Sequence, residues 1–122
     1  RQAQEPAAQE RQALAEFYGE LTECAAFYLI SAEANFKRGI NRAAQAEQWM
    51  AGALLERAMK IGGEEQATAQ ARLALERLGA EALPDLSKAS LLTDRYGVPC
   101  RQAFDDPEAR MVHWREIIRS RR

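Results

Sequence analysis

The chain has 122 residues, 17 basic and 18 acidic side chains for a formal net charge of -1, 47% hydrophobic and 29% charged residues, and only 7 glycines and 4 prolines. That balance suits one globular domain over residues 1–122, long enough to bury a core, and excludes disordered, collagenous and generic polyanion-binding chains. No apolar run approaches the roughly 20 residues that span a bilayer, the longest such cluster being residues 24–30.

Residues 1–5 are polar and read as a frayed lead-in. Pro6 suits a first helical turn, and a helix is expected from there to Lys37, stopped by Gly39. Leu14, Phe17, Leu21, Cys24 and Tyr28 recur at spacings of three and four, the stripe of a core-facing helix. Around residues 27–30 the helix is apolar nearly all round, so other elements should surround it. This is the expected central helix of an all-α, single-domain bundle of about four main helices plus short helical pieces.

Asn41 is the expected cap of a second helix reaching Ile61 and stopped by Gly62 and Gly63. Its expected inner stripe is Ala46, Met50, Ala53, Leu54 and Ile61, with Trp49 at the edge. A third helix over about 64–83 places Ala71, Leu75, Leu78 and Ala82 inward and ends at Pro84, because proline inside a helix clashes with the preceding turn. Asp85 then caps a short fourth helix through Tyr96, with Leu86, Ala89 and Leu92 inward. Gly97 reads as a left-handed terminator, Pro99 as a restart, and 100–104 as a brief helical turn. Asp106, Pro107 and Glu108 supply cap, first-turn proline and first-turn acid for a last helix burying Met111, Trp114 and Ile118. Nothing alternates like a strand.

The two cysteines, Cys24 in the middle of the first helix and Cys100 past the fourth, have no metal-ligand spacing around them and read as one disulfide. It closes a loop of about 75 residues, worth about 4.5 kcal/mol in the chain-entropy picture. Tyr96 and Trp114 are expected beside it. The alternatives are two inert buried thiols, or a reactive Cys100 at a helix start after Pro99. A disulfide places the chain in an oxidising compartment. Opening on Arg1 rather than methionine fits removal of an upstream signal segment, and the excess of arginine over lysine points to a GC-rich bacterial genome.

Residues 91–99, LLTDRYGVP, resemble the first helix and turn of bacterial helix-turn-helix regulators, where a Tyr-Gly-Val turn precedes the reading helix. The resemblance implies a degenerate motif over 86–104 and a cytosolic regulator or adaptor as the alternative function. Its would-be reading helix, 100–104, meets Asp105 and Asp106 after little more than one turn, where a groove-reading helix needs more length and a basic surround. Nucleic acid is therefore not the favoured partner.

No catalytic set is expected. His113, the one histidine, sits beside Trp114; a Cys100–His113 dyad lacks an orienting third group, and Ser31, Ser87, Ser90 and Ser120 lack a nucleophile elbow. Glu16, Glu20 and Glu23 line one helix face, but the Glu-x-x-His motifs of di-iron bundles do not accompany them, so neither metal nor cofactor is expected. The acidic first helix (Glu16, Glu20, Glu23) and the arginine-rich end (Arg110, Arg115, Arg119, Arg121, Arg122) are candidate faces for a protein partner. The small-residue patch at 51–53 also admits a homodimer. The reading that results is a small exported bacterial helical protein, periplasmic or secreted, with a structural disulfide and a non-enzymatic interaction or structural role.

Overall fold

The computed structural model describes residues 5–121, so the frayed lead-in expected over 1–5 lies outside it apart from Glu5. Five helices follow one another: α1 (Pro6–Lys37), α2 (Asn41–Gly62), α3 (Glu64–Glu81), α4 (Ala89–Asp105) and α5 (Pro107–Ser120). Among the described residues there is no strand, and no helix is long and apolar enough to cross a membrane.

Helix α1 is the axis, packed against all four other helices. Its middle is buried almost all round, through Cys24, Ala25, Ala26, Phe27, Tyr28 and Ile30, as the unbroken apolar cluster requires. It ends as expected at Gly39, whose φ of 78° lets the backbone turn back on itself. The amide of Gly39 then donates to the carbonyl of Phe36 and that of Ile40 to Asn35, which satisfies carbonyls the helix end leaves open. The core that α1 shares with α2 and α3 centres on Leu21, Leu54 and Leu78, all fully buried.

On α2 the inner stripe is out of phase with the expected one. Ala44, Ala51, Leu54 and Ala58 face inward, while Ala46 and Ile61 are exposed and Met50 and Ala53 lie half-buried. Small side chains at the contact let the α1 and α2 backbones approach closely, and the larger residues close its margins. On α1, likewise, Ala13 is buried and Leu14 exposed. Nor does Asn41 cap α2. It is the first helical residue, and Ile40 holds the cap position without a side-chain bond. Helix α3 buries Ala67, Ala74 and Leu78, with Ala82 buried just past its end and Ala71 and Leu75 half-buried.

The largest departure is α4. Asp85 and Leu86 have φ of 52° and 63°, which is left-handed backbone, so the chain cannot enter a helix at Asp85 and no cap forms there. The helix begins at Ala89 and runs unbroken through Gly97 and Pro99 to Asp105. The stop at Gly97, the restart at Pro99 and the separate turn over 100–104 are all absent, and with them the turn that carried the helix-turn-helix resemblance. Burial of Leu92, Cys100 and Ala103 along one side of α4 ties both halves to the core. That tie offsets the hydrogen bond that proline cannot donate.

A single substitution tests this continuity. Among the described residues only Gly39 and Gly63 are left-handed glycines, so Gly97 is helical, and a Cβ built on it meets only Thr93 Cγ2, at 3.4 Å. Gly97→Ala is expected to stabilise the protein by about 1 kcal/mol in urea unfolding. A left-handed terminator at this position would reverse the sign.

The start of α5 is as expected: Asp106 Oδ1 accepts from the Ala109 amide at 3.1 Å, with Pro107 in the first turn. Met111 and Ile118 are buried and Trp114 is half-buried against the core.

Candidate functional site

Cys24 and Cys100 form a disulfide that joins the middle of α1 to the second half of α4, with Cα atoms 5.3 Å apart. Both sulfurs are fully buried. Neither residue is therefore a free thiol, which removes both the inert-thiol and the reactive-Cys100 alternatives and any Cys100–His113 dyad. His113 stands with its ring centroid 5.1 Å from that of Trp114.

One turn before Cys24, Glu20 points toward α5 and is held there by two residues. Arg110 donates to it through Nε at 3.0 Å and through Nη2 at 2.6 Å, and Trp114 donates from Nε1 at 3.0 Å. The remaining Arg110 nitrogen, Nη1, donates to Gln102 Oε1 on α4 at 3.0 Å. Arg110 is only 9% exposed, so this is a buried ion pair whose charge is neutralised by a two-pronged geometry. Beside it Tyr96 stacks on Phe27, ring centroids 5.8 Å apart, while the Arg95 guanidinium lies over the outer face of Tyr96 at 4.9 Å. The arrangement leaves a cavity of about 320 Å³ walled by the disulfide, Glu20, Tyr96 and Trp114. Tyr96 and Trp114 thus flank the disulfide as expected.

The two charged faces singled out in the sequence meet each other. Arg110 takes Glu20, Arg115 takes Glu10 at 3.0 Å, and Arg121 takes Glu16 at 3.4 Å, all between α5 and α1. Glu23 pairs with Arg77 of α3 at 3.2 Å, and Arg119 pairs with Glu116 on its own helix. Arg122 lies outside the described residues. The Arg115 guanidinium beside Glu10 holds that carboxyl below its usual pKa. The exposed pairs contribute little each, whereas the Glu20–Arg110 pair is largely withdrawn from water and links α5 to α1.

Two charged residues on α2 that the sequence reading passed over have structural work. Glu47 accepts from Ser31 Oγ at 2.5 Å and from Asn35 Nδ2 at 2.7 Å, bolting α2 to the end of α1. Arg57 donates from Nη1 to the carbonyls of Ala103 and Phe104 at 2.8 and 2.9 Å, satisfying the C-terminal end of α4. The signal for Glu47 was its place in the true inner stripe, between Ala44 and Ala51, where a carboxylate requires a partner.

On α1, the buried Tyr18 hydroxyl has no hydrogen-bond partner, and burial pushes its pKa up. Its ring occupies the space beside Gly62, where an added Cβ would come within 2.5 Å of it. This contact explains the glycine that ends α2.

Among the described residues no group of three or more His, Cys, Asp or Glu side chains is placed to hold a metal ion. No protein-family model, no curated protein and no solved structure matches the chain.

Proposed function

We propose that this is a small exported bacterial protein of the periplasm or cell envelope, whose role is structural or interactive rather than catalytic. The observation that carries the reading is the buried Cys24–Cys100 bond. A cross-link enclosed in the core and spanning a sequence separation of 76 residues serves stability, and such bonds persist where thiols are kept oxidised. A sulfur pair that worked in exchange chemistry needs an accessible sulfur, and these have no exposed surface. The charges of α1 and α5 are turned on one another, so the protein meets its partner through surface not consumed in that pairing.

The test is the redox state in the native compartment. Cells are quenched in acid, the protein is denatured without reductant, and free thiols are titrated with an alkylating reagent. The expected result is no labelling before reduction and two labels after it. Two labels without reduction would remove the extracytoplasmic assignment.

A further inference from the structure

The outer face of α2 carries one large apolar side chain set between two opposite charges. Trp49 is 69% exposed. Arg42 and Glu56, both exposed, lie on the same stripe two helical turns to either side of it, about 10.5 Å along the axis in each direction. The inward charges of this helix, Glu47 and Arg57, are fully used in the fold, whereas neither Arg42 nor Glu56 has an ion-pair partner among the described residues. Nor is the tryptophan loose. It meets Phe104 of α4 edge-on, ring centroids 5.4 Å apart, and Arg57 lies 5.8 Å from the centroid of the same Phe104 ring. A large aromatic already fixed in place and left in water is the usual anchor of a protein interface.

We propose that this face binds a second copy of the chain, with the two α2 helices antiparallel and the two-fold axis passing at Trp49. The charge order commits to that occupant. Turning α2 end over end about Trp49 brings Arg42 of one copy against Glu56 of the other, and repeats the pairing at the opposite end, so one patch complements itself as two-fold symmetry requires. A parallel pairing would set arginine on arginine and glutamate on glutamate. Between the anchors, Ala46 of one helix comes opposite Gly52 of the other, and their small size lets the helices close around the tryptophans. The surface stands apart from the disulfide cavity, and it does not depend on the compartment in which the protein works.

A single crossing of two helices lies at the small end of specific interfaces, so the dimer dissociates with a Kd between about 1 µM and 1 mM. Sedimentation velocity on the full chain, from about 1 µM to about 1 mM, is expected to show monomer giving way to dimer. Trp49→Ala should raise the Kd by about tenfold or more, as loss of a central aromatic anchor does. Glu56→Arg should do the same by placing like charges together at both ends, and Arg42→Glu combined with Glu56→Arg should restore association to about the wild-type value. Thermal melting by circular dichroism confirms that each variant is folded, and the restored double variant keeps the test valid if Trp49→Ala loses stability. A monomer at every concentration overturns the proposal and leaves Trp49 for a different protein. A dimer indifferent to the charge swap overturns it as well, because then another face is the interface.

Discussion

Replacing Cys24 and Cys100 together with alanine is expected to lower the unfolding free energy by about 4.5 kcal/mol. The bond spans a sequence separation of 76 residues, and cutting it returns that loop's freedom to the unfolded chain. For a domain whose total stability is about 5–15 kcal/mol, the loss is about 30% or more, with a fall in melting temperature of about 15 °C. Alanine also removes two buried sulfur atoms, so the wild type unfolded in urea with and without reductant is the cleaner comparison: both sulfurs stay in the core and only the cross-link changes. The damage should centre on α4. Pro99 removes one rung of its hydrogen-bond ladder and Gly97 lowers its helix propensity just ahead of Cys100, and the bond to α1 holds the second half in line. Amide hydrogen exchange after reduction is expected to quicken first over 97–105, with α1 to α3 still protected. A stability loss under about 1 kcal/mol would mean that the unfolded chain is already compact around these residues, and that the cross-link does not anchor α4.

The same segment shows where the sequence was legible and where it was not. The bounds of α1, and its inner stripe from Phe17 onward, were readable because each signal was local and unopposed: Pro6 at the start, apolar residues at spacings of three and four, Gly39 at the stop. The start of α5 was readable for the same reason, with Asp106 and Pro107 adjacent in the chain. In α4 the local signals pointed the wrong way. Glycine and proline state a preference worth about 1 and 3 kcal/mol, and packing of Leu92, Cys100 and Ala103 on the core overrides it. The cysteine pairing itself was legible, since two cysteines far apart in sequence with no ligand motif leave few options. It said nothing of α4's continuity, because a disulfide fixes a distance and not the path between its ends. The phase of α2 was lost for another reason. Alanine is a weak apolar marker, so Met50 and Ile61 drew the stripe toward themselves, although the close approach to α1 favours Ala44, Ala51 and Ala58.

The site's charges were visible as two faces of opposite sign that adjacent helices could bring together, yet which arginine meets which glutamate was not, because it depends on α5 folding back along the first half of α1. A chain with little net charge can still be strongly organised electrostatically. Here the organisation points inward across α1 and α5, and the part left unpaired on α2 is small. That contrast is why a narrow, nearly neutral stripe with one tryptophan is a better candidate contact than the arginine-rich end.

Glu20→Ala is expected to cost about 3–5 kcal/mol, comparable to losing the disulfide. The carboxylate accepts from Arg110 Nε, Arg110 Nη2 and Trp114 Nε1, and the guanidinium it neutralises is only 9% exposed. Truncation strips Arg110 of its counter-charge and leaves the Trp114 indole N–H without its acceptor, and water entering the neighbouring half-open cavity replaces the lost carboxylate only in part. Arg110→Ala should cost a similar amount, since Glu20 then keeps one neutral donor against a full negative charge. The discriminating variant carries Glu20→Leu with Arg110→Met. With both charges gone the groups that lose a partner are the Trp114 N–H and Gln102 Oε1, the latter on an exposed residue that water reaches, and replacement of a buried ion pair by apolar side chains of similar volume is often neutral or stabilising. This double variant is expected to be more stable than either single alanine variant by about 2 kcal/mol or more in urea unfolding. If instead the double variant falls well below the wild type while the single losses do not simply add, the pair's attraction outweighs its desolvation cost, and the arginine–glutamate contact is a net source of the energy that seats α5. If the double variant is stable but α5 exchanges its amides quickly, the pair works mainly to fix how that helix docks.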